Sequence, residues 1–219
     1  MKRITLTICT AAFLFAACNN SKKTDEKKTD GTDTAAKMDE KKPEGDMTMP
    51  DSATMMKNWQ ANMTPGEMHA MLAKSTGTWT ADISMWMAQG APATKSAGTA
   101  VNKMVMGGRY QESTNTSTMM GMPFEGRSVT GYDNAKKVFV SNWIDNMGTG
   151  FMNMEGPWDA ATKTINFKGR MIDPMTMKEC DYRETFQILD DDNQFMQMFA
   201  PGPDGKEFKT MEIAFKRKK

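Results

Sequence analysis

Apolar and polar residues follow three different patterns along the chain. Residues 4–17 are almost entirely apolar, residues 19–50 contain hardly any apolar side chain, and apolar residues recur periodically from residue 51 onward. These patterns are typical of a targeting segment, an unstructured segment and a folded domain, respectively. The sequence therefore predicts a signal peptide at 1–18, a linker at 19–50 and a folded part at 51–219.

Two short helices are predicted at the beginning of the folded part. Ser52 can cap the first helix, whose apolar stripe has helical spacing and consists of Met56, Trp59 and Met63. Residues 64–67 read Thr-Pro-Gly-Glu, which is a capping-box pattern with proline at the first helical position. Gly77 ends this second helix. Because the second helix is short and amphipathic, we expect it to pack against another element.

After Gly77 the apolar period changes to two. Trp79, Ala81 and Ile83 alternate with polar residues, which is the pattern of a half-buried strand. Such alternation continues to the C-terminus, interrupted by turn signals such as Gly107-Gly108 and Asp133-Asn134. Short connections indicate an antiparallel meander, and a long meander closes to protect its edges. The pattern predicts an all-β, up-and-down barrel of about ten antiparallel strands with a short N-terminal helix.

The first and last strands carry a feature that resembles the lipocalin and fatty-acid-binding barrels. Gly77-Thr78-Trp79 opens the first strand directly after a helix, and Arg217 lies on the last strand. In those barrels a basic residue of the last strand stacks on the tryptophan of a Gly-x-Trp sequence. The resemblance implies a calycin-like barrel in which Arg217 covers Trp79, a cation–π contact that stabilises by about 0.5–2 kcal/mol.

A second resemblance covers nearly all of the folded part. The sequences that carry it occur in a fixed order and are Met120–Gly126, Gly131–Asn134, Trp143–Gly150, Asp173-Pro174 and the run from Gly205 to Ile213. Together they resemble the bacterial domain-of-unknown-function family 1579, over about Pro65 to Arg217. Members are commonly secreted or lipid-anchored, and the resemblance implies no established substrate, cofactor or catalytic residue. One departure is Met177, where the family usually has glycine.

Residues 1–18 have the features of a bacterial lipoprotein signal. Lys2 and Arg3 precede the apolar run Ile4–Ala17, which is too short to span a bilayer. Small residues stand directly before Cys18, an arrangement that resembles a lipobox with Phe15 in place of the usual leucine. The resemblance implies that Cys18 carries lipid and anchors the protein to a membrane of the cell envelope. An ordinary secretory signal with an incidental cysteine is the alternative.

Residues 19–50 are predicted to form a disordered tether, because their charged and small side chains bury too little surface to offset the entropy of ordering. Asn19 differs from the aspartate that retains lipoproteins in the inner membrane of some bacteria, which favours the outer membrane. Whether the domain faces the periplasm or the cell surface stays open. The net charge of +1, from 28 basic and 27 acidic residues, argues against a nucleic-acid partner.

Catalytic and cofactor motifs are sparse in the sequence. The single histidine, His69, lies beside the apolar stripe of the second helix, where packing or capping is the favoured role. Phosphate-binding loops, dinucleotide fingerprints and the Gly-x-Ser-x-Gly sequence are missing. We therefore assign no catalytic residue, no metal and no cofactor. An enzyme would depend on carboxylates such as Asp145 or Glu155.

Polar and aromatic residues on the predicted strands point to a ligand cavity, because pockets combine apolar walls with a few orienting polar groups. Glu125 and Arg127 share one strand face and would form a buried ion pair if that face points inward. The strand from residue 110 is polar on both faces, as expected of either a polar-lined interior or a solvated edge strand. The candidate lining residues are Tyr110, Glu125, Arg127, Trp143, Asp145 and Met152.

The sequence therefore favours a barrel that binds a small apolar or amphipathic ligand. Its 25 methionines are flexible apolar groups that fill irregular cores or pockets. The alternatives are a structural or interaction module with a filled core, a carboxylate-dependent hydrolase-like enzyme, and a Cu(I) binder that uses thioether sulfurs. The thioethers that could gather for copper are those of Met47, Met49, Met55 and Met56.

Overall fold

The computed structural model describes residues 48–173 and 176–219. The predicted signal peptide, Cys18 and nearly all of the predicted tether lie outside the described residues. The described part begins with two helices, α1 (Ser52–Met63) and α2 (Glu67–Lys74). Within the described ranges, neither helix has the length and apolar character needed to cross a membrane.

The strands of the described part form one antiparallel sheet that closes on itself. They are β1 (Gly77–Met85), β2 (Thr94–Val105), β3 (Tyr110–Met119), β4 (Met122–Asp133), β5 (Val138–Asp145), β6 (Met152–Gly156), β7 (Trp158–Asp159), β8 (Thr164–Asp173), β9 (Lys178–Ile188), β10 (Asn193–Pro201) and β11 (Glu207–Arg217). β1 to β6 pair in sequence order and so do β7 to β11, β1 pairs with β11, and β6 pairs with β8, so that ten strands form the ring and β7 is an extra short strand. The predicted closed barrel of about ten antiparallel strands is confirmed.

The helix caps differ from those that the sequence suggested. Asp51, not Ser52, caps α1, and its carboxylate accepts the backbone N–H of Thr54 at 2.8 Å. Thr64 follows the end of α1, and the extended Gly66 is the N-cap of α2, so the predicted capping box does not form. Instead, the Gly66 N–H donates to Nδ1 of the buried His69 at 3.0 Å. The only histidine therefore caps a helix, and burial lowers its pKa.

Helix α2 lies at the barrel end where β1 begins, and interior side chains satisfy its last carbonyl groups. The Nε2 amide of Gln111 donates to the Leu72 carbonyl at 2.6 Å. The carbonyl of Ser75 accepts from Trp79 Nε1 at 2.9 Å and from Asn102 Nδ2 at 3.1 Å. The last carbonyls of a helix have no intrahelical donor, so these contacts fix α2 and also explain why polar side chains lie at this end.

Arg217 joins the last strand to α2 and to β1. Its guanidinium carbon lies 4.2 Å from the centre of the fully buried Trp79 ring. The same group donates to the carbonyls of Lys74 and Thr76, both at 2.7 Å. The planar guanidinium has five donors and can therefore stack on the indole and cap carbonyls at once. The structure thus places the predicted Trp79–Arg217 pair in contact where the first and last strands meet.

The seam between β6 and β8 depends on two glycines. A Cβ atom at Gly156 would lie 1.9 Å from the carbonyl oxygen of Asn166, and one at Gly169 would lie 2.3 Å from that of Asn153. Both obstructing atoms belong to the backbone of the facing strand. Relief would therefore require the strands to separate, so only glycine permits this approach.

The turn between β8 and β9 contains the family departure at Met177. The Met177 N–H donates to the Asp173 carbonyl at 2.8 Å, and Met177 has a φ of +55°. This left-handed conformation favours glycine, which explains why glycine is usual there in the resembling family. Met177 adopts the same conformation at an energetic cost.

We predict that Gly156→Ala destabilises the barrel. The methyl group would clash with the backbone of β8, and such overpacking lowers the free energy of unfolding by about 1–3 kcal/mol or more. Urea denaturation checks this, with Gly150→Ala as the matched control because nothing lies within 4 Å of its Cβ position. Equal stability of the two variants would contradict the role given to the seam.

Candidate functional site

The barrel interior is not filled by side chains and contains a cavity of about 490 Å³. On one wall, most lining residues of β2 to β5 are small or polar, among them Ser96, Gly98, Ser113, Ser117, Ser128 and Ser141. The opposite wall carries large apolar residues on β8 to β11, among them Phe167, Phe186, Met196, Met198, Ile213 and Phe215. The cavity is therefore amphipathic, and its size is within the range of small-molecule sites.

The polar β3 strand contributes to this cavity and is not an edge. It pairs with β2 on one side and β4 on the other. Its inward residues Gln111, Ser113 and Asn115 line the cavity. Of the two interpretations that the sequence left open, the polar-lined interior is the one that the structure shows.

Three of the six candidate lining residues lie together at the end of the cavity opposite α2. Trp143 Nε1 donates to Asp145 Oδ2 at 2.8 Å, and Trp143 pairs with Met152 across β5 and β6. The indole covers Gly126, where a Cβ atom would lie 2.2 Å from Trp143 Cζ2. Trp143, Asp145 and Met152 all line the cavity.

The other three candidates lie on the outside of the barrel, which corrects their assignment to the lining. Glu125 and Arg127 do form an ion pair at 2.9 Å, but the side chains are 51% and 57% exposed. Their neighbours Phe124 and Ser128 point inward, so the pleat of β4 directs both charges outward. Tyr110 is 41% exposed, and its ring packs across Gly131. These residues cannot contact a molecule inside the cavity.

Glu184 of β9 is an interior carboxyl group that the sequence analysis missed. It lines the cavity, with Phe167 and Met198 as its cross-strand neighbours. Enclosure by the barrel raises its pKa to about 7, and no opposing charge or hydrogen bond lowers it among the described residues. Glu184 is half-buried by its accessible surface. The signal was available, since Tyr182, Glu184 and Phe186 alternate along one strand face.

The remaining ionisable residues of the lining are Asp145, Asp173 and Tyr182. Burial raises the pKa of Tyr182, whose hydroxyl also interacts with Asp173 and Cys180. Among the described residues the lining contains no lysine, arginine or histidine. The other carboxylate considered for catalysis, Glu155, forms an exposed ion pair with Lys136 at 2.8 Å. The ionisable groups of the interior are thus acidic or neutral.

One buried acceptor in the lining has no donor. Asn102 Nδ2 donates a hydrogen bond to the Ser75 carbonyl. Asn102 Oδ1 is buried in the lining and has no hydrogen-bond partner within the described ranges. The amide orientation is fixed, because a flip would direct the oxygen at another carbonyl oxygen. A buried unsatisfied acceptor costs about 1–3 kcal/mol, so a donor supplied by a bound molecule would be favourable here.

The methionines divide between the interior and the surface. Met154 and Met196 are buried in the core, and Met85, Met152 and Met198 line the cavity. The surface methionines include Met87, Met106 and three of those considered for copper, Met49, Met55 and Met56. Met47 lies outside the described residues. Thioethers therefore supply a large part of the adaptable apolar lining.

A solved structure has the same barrel fold. The chain is similar to the crystal structure of Rv2717c from M. tuberculosis, with a TM-score of 0.55 and 12% sequence identity over 71% of this chain and 100% of that one. It is also similar to the S-type phycobiliprotein lyase CPES from Guillardia theta, with a TM-score of 0.48 and 10% identity over 74% and 97% of the respective chains. At these identities the likeness to Rv2717c shows the barrel fold alone. No curated protein matches the chain.

One protein family matches most of the sequence. Its profile, described as "Protein of unknown function (DUF1579)", covers residues 64–217. This range begins before α2 and ends at Arg217, so it contains α2 and every strand of the barrel. It also contains Glu184 and the whole cavity lining. The chain therefore belongs to the DUF1579 family.

Proposed function

We propose that this protein binds a small amphipathic molecule inside its barrel while a lipid on Cys18 tethers it to a membrane of the cell envelope. The observation that carries the first part is the cavity of about 490 Å³ with one apolar and one polar wall. A structural module would gain stability from a filled core, because empty space forfeits packing contacts. The space is therefore best explained by a guest molecule.

The free-energy cost of enclosing the Glu184 carboxyl group supports the same proposal. An enclosed carboxyl group with no partner lowers stability when it ionises, and a hydrophobic residue at this position would remove that cost. Functional sites often cost a protein stability, so a binding role for Glu184 would account for this cost. Glu184 is thus the polar group that we expect to orient the guest within an otherwise apolar part of the cavity.

The tether supports access to a membrane. The lipobox-like sequence before Cys18 and the polar composition of residues 19–50 are those of a lipid-anchored domain held at a distance from a bilayer. An outer membrane location is favoured by Asn19. A cavity for amphipathic molecules and a membrane anchor suit each other, because membranes are where such molecules partition.

We predict that Ser128→Phe weakens binding of the uncharged fluorescent probe N-phenyl-1-naphthylamine by at least about tenfold. Ser128 points into the cavity between Ser113 and Trp143, so the added ring would occupy the space of the guest. Val129→Phe is the matched control, since Val129 follows directly and is exposed on the outer face. Fluorescence titration measures both. Similar affinities for the two variants, or no binding to the unmodified protein, would refute binding in the barrel.

We predict that Glu184→Gln stabilises the protein above pH 7 and not at pH 4. The folded-state pKa of about 7 lies above the ordinary value of 4.5, so the free energy of unfolding falls as the pH rises from about 4.5 to 7. The loss approaches about 3 kcal/mol and then stays constant. Urea denaturation at several pH values, compared with Glu179→Gln on the exposed face of the same strand, measures it. A pH-independent difference would contradict the burial argument.

We predict that Cys18→Ser releases the protein from the membrane fraction of the cells that produce it. Without the thiol no lipid can be attached, and a polar tether has no membrane affinity of its own. Fractionation and metabolic labelling with radioactive palmitate check this. Cys180→Ser, which changes a partly buried thiol of the barrel, serves as the control and should keep both the label and the membrane association.

A further inference from the structure

We infer that the guest carries a positively charged, hydrogen-bond-donating head, such as a protonated amine on an apolar body, and that Glu184 is its counter-ion. This inference rests on the proposed function and adds the chemical class of the ligand. It follows from the charges, the acceptors and the apolar groups around Glu184.

The charge of the lining selects against anionic guests. Asp145 and Glu184 line the cavity, and among the described residues its lining contains no basic side chain. The carboxylate or phosphate of an anionic amphiphile would meet charges of its own sign in a medium of low dielectric constant. The carboxylate of a fatty acid would therefore be repelled by the acidic lining, although its alkyl chain suits the apolar wall.

The basic side chains on and beside the strand of Glu184 do not neutralise its charge, because they point away from the cavity. Arg183 points outward, where it pairs with Glu207 at 2.7 Å and lies 3.8 Å from the centre of the Phe199 ring. Lys168 has its backbone paired with Arg183 and shares that outward face. The two elements beside Glu184 present Phe167 from β8 and Met198 from β10, neither of which is charged. None of the described residues around Glu184 supplies a cation, and we assign that role to the ligand.

The hydrogen-bonding capacity of the lining selects for donors. Asp145 accepts from Trp143 and from the Met147 backbone, so that group is already satisfied. Glu184 has no donor among the described residues, and neither has Asn102 Oδ1. An uncharged alcohol offers one donor and leaves the charge unpaired. An ammonium group offers up to three donors together with the charge.

The apolar groups around Glu184 also suit an ammonium head and its attached carbons. Phe167 is a cross-strand neighbour of Glu184, and Phe186 lies two residues along the same strand face. Aromatic faces attract cations, and the effect grows when the cation is desolvated. Met198, the other cross-strand neighbour, can adapt to alkyl groups of different shape.

The test compares three guests that share an eight-carbon chain and differ in the head: octylammonium, octanol and octanoate. Isothermal titration calorimetry at pH 8 measures each against the unmodified protein, Glu184→Gln and the outward control Glu179→Gln. We expect octylammonium to bind most tightly and octanoate least. Glu184→Gln should weaken octylammonium by about tenfold to a hundredfold, the effect of losing a charge-assisted pair, and leave octanol nearly unchanged.

A second measurement follows octylammonium affinity from pH 5 to pH 8. An alkylammonium stays protonated throughout this range, as a lysine side chain does. Affinity should rise by about tenfold or more as Glu184 loses its proton and should not change in Glu184→Gln. The other titratable groups of the lining are Asp145, Asp173 and Tyr182, and the flat profile of the variant separates them from Glu184.

The outcomes distinguish the two proposals. If octanol binds as tightly as octylammonium, or if Glu184→Gln weakens both equally, the charged head is wrong and the binding cavity stands. If octanoate binds most tightly, the charge argument is likewise overturned. If none of the three guests binds and the uncharged naphthylamine probe does not bind either, the proposed function fails together with this inference.

Discussion

The closed ring of strands is the constraint on which the rest of the structure depends, and the pairing of β6 with β8 completes that ring. There the backbones approach so closely that Gly156 and Gly169 admit no Cβ atom. An open sheet of this length would expose two edges and could not enclose a volume. With the seam closed, alternate residues of ten strands face one interior, and α2 covers one end of it. The enclosed cavity therefore depends on the closed ring, and Gly156 and Gly169 permit the backbone contact at this seam.

The polar groups of the interior serve two separate purposes. Near α2, Gln111, Asn102 and Trp79 donate hydrogen bonds to the carbonyls at the end of that helix and so stabilise the fold. Farther along the cavity, Glu184 has no such partner among the described residues. The first set has a structural role, because each of these donors makes a hydrogen bond to a helix carbonyl. Glu184 is consistent with the proposed binding function, because its burial without a partner costs free energy that packing must offset.

The architecture could be predicted from the sequence, but only half of the site could. Period-two alternation and short turns indicate a closed meander, and a Gly-x-Trp opening places Trp79 and Arg217 at its ends. Alternation alone does not say which face is inside when both are polar, and for this reason Glu125 and Arg127 were placed on the wrong side. The inward pair Phe124 and Ser128 could have settled the pleat of β4. Glu184 shares its strand face with Tyr182 and Phe186, and a single acid among aromatic residues is easily taken for an interruption of a core strand.

The arrangement of the two walls explains why a soft lining and a fixed charge occur together. Serines and glycines on β2 to β5 leave space, while phenylalanines and methionines on β8 to β11 define its apolar boundary. Thioether side chains adapt to guests of several shapes, so by themselves they give little discrimination. Glu184 supplies the discrimination, because a guest that cannot pair with it leaves a charge buried. Under the proposed binding function, an adaptable apolar wall with one specific polar contact would select ligands by their head and tolerate variation in their body.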